Sequence, residues 1–185
     1  MQKSNVYLVG LMGSGKTSIG KILAKRMGMK FIDLDNEIIK DQQCSISEIF
    51  DKFGEEKFRH LENKKLLSTL DIDNCVISTG GGIVMDQDNI KIMVENGSII
   101  HLDIDLETQL LRIKNKKNRP LLRDKDDERK ILVEMRKERD HIYKKISVAS
   151  VNTSNKKRND IVNEVANIIE WKKYFYQLAI IRFLL

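Results

Sequence analysis

The run Gly10-Leu11-Met12-Gly13-Ser14-Gly15-Lys16-Thr17 follows the pattern GxxxxGK[ST]. Glycines at these positions let the backbone turn tightly and bring bare N–H groups toward anionic oxygens. A helix starting at Lys16 aims the positive end of its dipole at the same point. Lys16 neutralises charge on the outer phosphates, and the Thr17 hydroxyl can ligate Mg²⁺. Gly13, Ser14, Gly15, Lys16, Thr17 and Ser18 are therefore the expected contacts of a nucleoside triphosphate. The motif alone does not say where the phosphate goes.

Three further features bear on the acceptor. Asp33-Leu34-Asp35 closes the second apolar run, and strand alternation would put both carboxylates on one face at the carboxyl edge of a sheet. One acid can hold Mg²⁺ through water while the other orients or deprotonates a hydroxyl. Capping of the next helix is the alternative for either Asp, with Asp35 the plainer candidate. Gly80-Gly81-Gly82 follows the third run and reads as backbone close to a ligand, or else as a flexible turn. Arginine is scarce, ten against twenty-three lysines, and Arg59, Arg112, Arg119 and Arg139 stand out. Guanidinium groups form bidentate pairs with carboxylate or phosphate.

Positioning such groups requires strands and helices in alternation. Residues 5–9, 30–34, 75–78, 98–102 and 147–151 read as strands, the first four rich in Val and Ile. Helices are predicted over 16–27, 46–53, 55–70, 89–96, from 127 to about 146, and from about 160. Gly28, Gly54 and Gly97 end three of them as expected left-handed caps. The alternation predicts an α/β three-layer sandwich, a five-stranded parallel sheet flanked by helices. Residues 114–127 are highly charged, hold the only proline, Pro120, and read as an exposed mobile lid between two helices. The chain, 1–185, reads as one domain with a C-terminal helical extension at about 171–185.

Composition narrows the function class. With 41% hydrophobic and 32% charged residues, the 185-residue chain suits one soluble domain with its own core. A net charge of +6 invites a nucleic-acid reading, but Lys and Glu alternate along the helices, and no aromatic-plus-basic stacking motif accompanies them. Residues 178–185 are apolar but too short to span a bilayer. Cys44 and Cys75 are too few for a disulfide framework or a zinc site, which fits a reducing cytoplasm. Neither nucleic acid nor a membrane is an expected partner, and a monomer is expected. His101 reads as a core residue, and Trp171 as helix packing.

The ordered set of motifs resembles shikimate kinase. After Gly10 to Thr17 and Asp33-Leu34-Asp35 come Ser45 to Phe50, Gly54-Glu55, Phe58-Arg59 with Glu62, Ser78 to Gly82, Arg119-Pro120-Leu121-Leu122, and Arg139 with Tyr143. The likeness covers residues from about 5 to 168, and beyond Trp171 the chain runs past the family's usual end. The resemblance implies a P-loop kinase fold like that of nucleoside-monophosphate kinases. It also implies transfer of the γ-phosphoryl group of ATP to shikimate, giving shikimate 3-phosphate on the route to chorismate and aromatic amino acids.

The resemblance further assigns roles. Asp35 would orient or deprotonate the hydroxyl, and Asp33 would hold Mg²⁺ through water beside Thr17. Arg59 and Arg139 would grip the shikimate carboxylate, with Gly80, Gly81 and Gly82 closing over the ring. Arg119 would swing from the lid onto the phosphates. Arg112 would lie on one side of the adenine, with the Asn155-Lys156 region on the other. Two rivals stand beside this reading: a P-loop kinase for gluconate or a nucleoside monophosphate, and a nucleotide-switched nucleic-acid module.

Overall fold

Short β-branched runs form the strands β1 (Asn5–Val9), β2 (Lys30–Asp33), β3 (Cys75–Ser78), β4 (Gly97–Asp103) and β5 (Ala149–Asn152). The computed structural model describes residues 4–114 and 128–184, with side chains through residue 175 apart from residue 173. All strand pairs are parallel, in the order β2-β3-β1-β4-β5. Every residue of β1 and β3 is buried, as strands covered on both faces require.

Between the strands lie α1 (Lys16–Met27), α2 (Leu34–Gln42), α3 (Ile46–Leu67), α4 (Gln87–Asn96), α5 (Leu106–Ile113), α6 (Glu128–Ile146) and α7 (Arg158–Leu184). Alternation along β1 divides the core. Val6 and Leu8 join Ile19 and Leu23 of α1 and Val162 and Val165 of α7. Tyr7 and Val9 face the other way, toward Leu66 of α3, Met93 of α4 and Tyr143 of α6. Burying each such aliphatic side chain contributes about 2 kcal/mol, which makes this two-sided core the main support of the site above it.

The structure agrees with the predicted three-layer architecture and corrects several local expectations. Strand β2 stops at Asp33, and Leu34 already begins α2, so Asp35 sits in a helical first turn. Strand alternation therefore does not bring Asp33 and Asp35 together. The α2 N-cap is Asp33, whose side chain accepts from the Asn36 N–H at 3.1 Å. Helix α2 escapes sequence reading because only Leu34 and Ile38 of its nine residues are buried.

Gly28 is the left-handed cap expected, at φ 63°. Gly54, at φ 78° and ψ 172°, kinks α3 instead of ending it, so the helices predicted over 46–53 and 55–70 are one bent element. Gly97 is extended at φ 176° and opens β4; a β-carbon there would collide with the Asn5 carbonyl and lie 2.9 Å from the Tyr7 ring. Close strand packing demands that glycine, not a helix cap. Trp171 is 62% exposed, with only Tyr174 and Phe175 as ring neighbours among the described residues, so it is not packed into the domain. Arg119 and Pro120, with the rest of 115–127, lie outside the described residues.

Candidate active site

The loop between β1 and α1 takes positive φ at Gly10, Gly13 and Gly15 (139°, 83° and 99°). At Gly10 a side chain would collide with the Leu102 carbonyl as well. Gly15 is the α1 N-cap and supplies no side-chain hydrogen bond, which leaves first-turn N–H groups for an anion. Lys16 Nζ donates to the carbonyls of Gly10 at 2.7 Å and Leu11 at 3.2 Å, and Ser18 Oγ to that of Gly15 at 3.0 Å. A cleft of about 1120 Å³ opens over this turn, lined by Gly13 to Ser18 on one side and by Asp35, Gly81, Arg112 and Lys156 on the other.

Thr17 Oγ1 donates to Asp33 Oδ2 at 2.6 Å. A hydroxyl and a carboxylate side by side fit Mg²⁺, which keeps several waters and takes few protein ligands. Among the described residues no group of three or more His, Cys, Asp or Glu converges to hold a metal.

A second cluster forms around the triple glycine. The capping box of Ser45 and Glu48 starts α3, and past the Gly54 kink the helix presents Arg59. Arg59 donates to Glu62 Oε2 at 2.7 Å and Glu55 Oε1 at 2.8 Å. Glu62 is fully buried, and its Oε1 has no hydrogen-bond partner among the described residues. Burial pushes its carboxyl up to about 7, against the downward pull of Arg59.

A β-carbon at Gly80 would collide with Glu62 Oε1 and lie 3.2 Å from Asp35 Oδ1. The backbone there is wedged between two carboxylates, the close approach that a glycine allows. Gly81 offers its carbonyl to α6, accepting from the Tyr143 hydroxyl and, at 3.5 Å, from Arg139 Nη1. Arg139 is buried, and its Nε has no partner among the described residues. A buried guanidinium short of acceptors suits a carboxylate ligand. Helix α6 runs unbroken through Arg139 and Tyr143.

Arg112 lines the same cleft and is held there by hydrogen bonds to the carbonyls of Gly13 at 3.2 Å and Thr153 at 2.7 Å. Lys156 pairs with Glu164 at 2.7 Å on the rim of the cleft. His101 is a core residue as expected, stacked on Tyr143 and bonded to Ser150 Oγ at 3.0 Å, with burial holding it neutral by lowering its pKa to about 4. Glu62, Tyr143 and Gln109 take part in the site without a role that the motifs themselves imply. The i,i+3 spacing of Arg59 and Glu62 on a helix was the available signal for the first. Gln109 carries no such mark in sequence.

Comparison with known proteins gives a consistent result. Residues 12–170 match the family model described as shikimate kinase. A shikimate kinase of Persephonella marina is 44% identical over 161 residues, which is 87% of this chain and 96% of that protein. One of Histophilus somni is 36% identical over 169 residues, covering 91% and 97%. The solved shikimate kinase from Acinetobacter baumannii in complex with shikimate superposes with a TM-score of 0.88 at 33% identity, over 92% of this chain and 95% of that one. A gluconokinase from Sinorhizobium meliloti, at 11% identity and a TM-score of 0.59 over 95% and 97%, shares the fold alone.

Proposed function

The chain belongs to the shikimate kinase family, and on that premise we propose how its site phosphorylates shikimate from ATP. The observation that carries the proposal is the place of Asp35. It lines the cleft shared with Lys16 and Thr17, and its Oδ1 also borders Gly80, beside Glu62 and Arg59. Asp35 thus stands where a phosphate-binding loop meets a carboxylate-binding cluster.

In this reading the loop amides and Lys16 hold the β- and γ-phosphates of ATP. Arg59 and Arg139 bind the shikimate carboxylate, and the backbone of Gly80 to Gly82 lies along the ring. Asp35 accepts a hydrogen bond from the 3-hydroxyl and takes its proton as the oxygen attacks the γ-phosphorus. The bond from that phosphorus to the β–γ bridging oxygen breaks, and ADP leaves. Thr17 and, through water, Asp33 would hold Mg²⁺, which when bound spreads charge on the phosphate chain. Arg112 and Lys156 flank the nucleotide, and Arg119, outside the described residues, is assigned to the phosphates by the resemblance.

ADP release measured with shikimate, gluconate and CMP as acceptors tests the assignment. Turnover with shikimate is expected to exceed the other two by orders of magnitude. Faster turnover with either rival would reject it.

A further inference from the structure

Gln109 of α5 is fully buried and does not line the cleft. Its Nε2 donates to the Met12 carbonyl at 2.9 Å, and its Oε1 accepts from Arg136 Nη2 of α6 at 3.1 Å. This bridge has only one possible polarity. A carbonyl only accepts and a guanidinium only donates, so the side chain between them must offer one donor and one acceptor. Gln does so, whereas an ionised Glu, Leu and Met do not. Arg136 is anchored in turn, donating to the Ile104 carbonyl at 2.6 Å and to Asp140 at 3.2 Å, so Gln109 is held from behind.

The peptide unit joining Met12 and Gly13 is planar, and when it is trans its C=O and N–H point in opposite directions. The structure holds no cis peptide among its described residues. Gln109 draws the Met12 C=O toward α5, so the Gly13 N–H points away from α5. Gly13 lines the cleft and sits at φ 83°, where a glycine's freedom would otherwise let that unit rotate. We propose that Gln109 is a positioning residue for phosphoryl transfer, fixing the Met12–Gly13 peptide so that the Gly13 amide donates to the phosphate chain of the nucleotide. This rests on the reading of the loop as an ATP site.

The Met–Gly step occurs twice in the chain, at Met12-Gly13 and Met27-Gly28. Protein labelled with carbonyl-13C methionine and 15N glycine therefore gives two HNCO cross-peaks. Gly28, capping the far end of α1, is the internal control. In Gln109→Leu the Met12 carbonyl resonance is expected to move upfield, from loss of its hydrogen bond, while the Gly28 peak stays. ADP should bind this variant about tenfold more weakly, with KM for ATP rising equally and KM for shikimate within about twofold. Gln109→Glu, which sets an acceptor against the Met12 carbonyl, should weaken ADP at least as much. Gln109→Met preserves the volume and carries the same readouts if the leucine variant does not fold. An unmoved Met12 resonance, or an unchanged ADP Kd, overturns the proposal. If ADP fails to move the Gly13 peak of the wild-type protein, the nucleotide reading itself falls, and the proposal with it.

Discussion

Gly82 and Arg59 leave no room between them: a β-carbon at residue 82 would overlap the guanidinium, 2.6 Å from its Cζ. The φ of Gly82 is −101°, a value open to any residue, so glycine is needed here for space alone. Gly82→Ala should displace Arg59 without straining the backbone. KM for shikimate is expected to rise about tenfold, the cost of one charge-assisted pair, with KM for ATP unchanged. Steady-state kinetics varying each substrate separately distinguish this from a general loss of folding, which would lower the maximal rate and leave both KM values unchanged.

Asp35→Asn keeps the shape of the side chain and removes its basicity. Turnover should fall by about 10²- to 10⁴-fold, the usual range for losing a general base, while ADP affinity measured by calorimetry is preserved. Near-normal turnover would show that the proton leaves by another route.

Glu62 gives the site a pH dependence with a definite sign. Its folded value is raised to about 7 from an ordinary 4.5, first by burial, with Arg59 opposing. The stability associated with its protonation is fully present below 4.5 and is lost as pH rises through about 7. Over the same interval the ionised carboxylate increasingly competes with the substrate carboxylate for Arg59. Between pH 6 and 8 KM for shikimate should climb, and Glu62→Gln should flatten both that climb and the slope of melting temperature against pH. A variant whose profiles match the wild type would contradict this.

Asp33 combines two duties that substitution can separate. Asn at this position keeps the acceptor for the Asn36 N–H but loses the charge beside Thr17. Asp33→Asn should therefore require more Mg²⁺ for half-maximal rate while melting close to the wild type. Asp33→Ala loses the cap too and should be less stable by about 1 kcal/mol. Mg²⁺ titrations and thermal melts on the two variants test this; equal Mg²⁺ requirement in Asp33→Asn and wild type would exclude Asp33 from the metal.

Much of the fold was legible because its signals are local. The apolar runs of β1 and β3, and the loop from Gly10 to Thr17, state their conformation within a few residues. What escaped was set by distant neighbours. Gly97 resembles a helix cap in sequence, yet its requirement comes from the carbonyl of Asn5, across the sheet. Asp33 and Asp35 looked like a strand pair until the Asn36 amide turned the first into a cap. For Gly80 to Gly82 the closeness of backbone to something was readable, but the neighbours in this structure are Glu62 and Arg59, brought there by a bend at Gly54. Gln109 matters only because Met12 lies on one side of it and Arg136 on the other.

Strand β1 runs down the middle of the sheet, with β3 and β2 on one flank and β4 and β5 on the other. In the proposed reading the groups that bind the acceptor acid come from α3 and α6, while Gln109, which holds the phosphate loop at Met12, comes from α5. A lineage built on this plan can exchange its acid for another small alcohol by rewriting α2, α3 and a stripe of α6, leaving the triphosphate cradle untouched. Divergence of substrate on this scaffold is thereby separated from the inheritance of its phosphate donor.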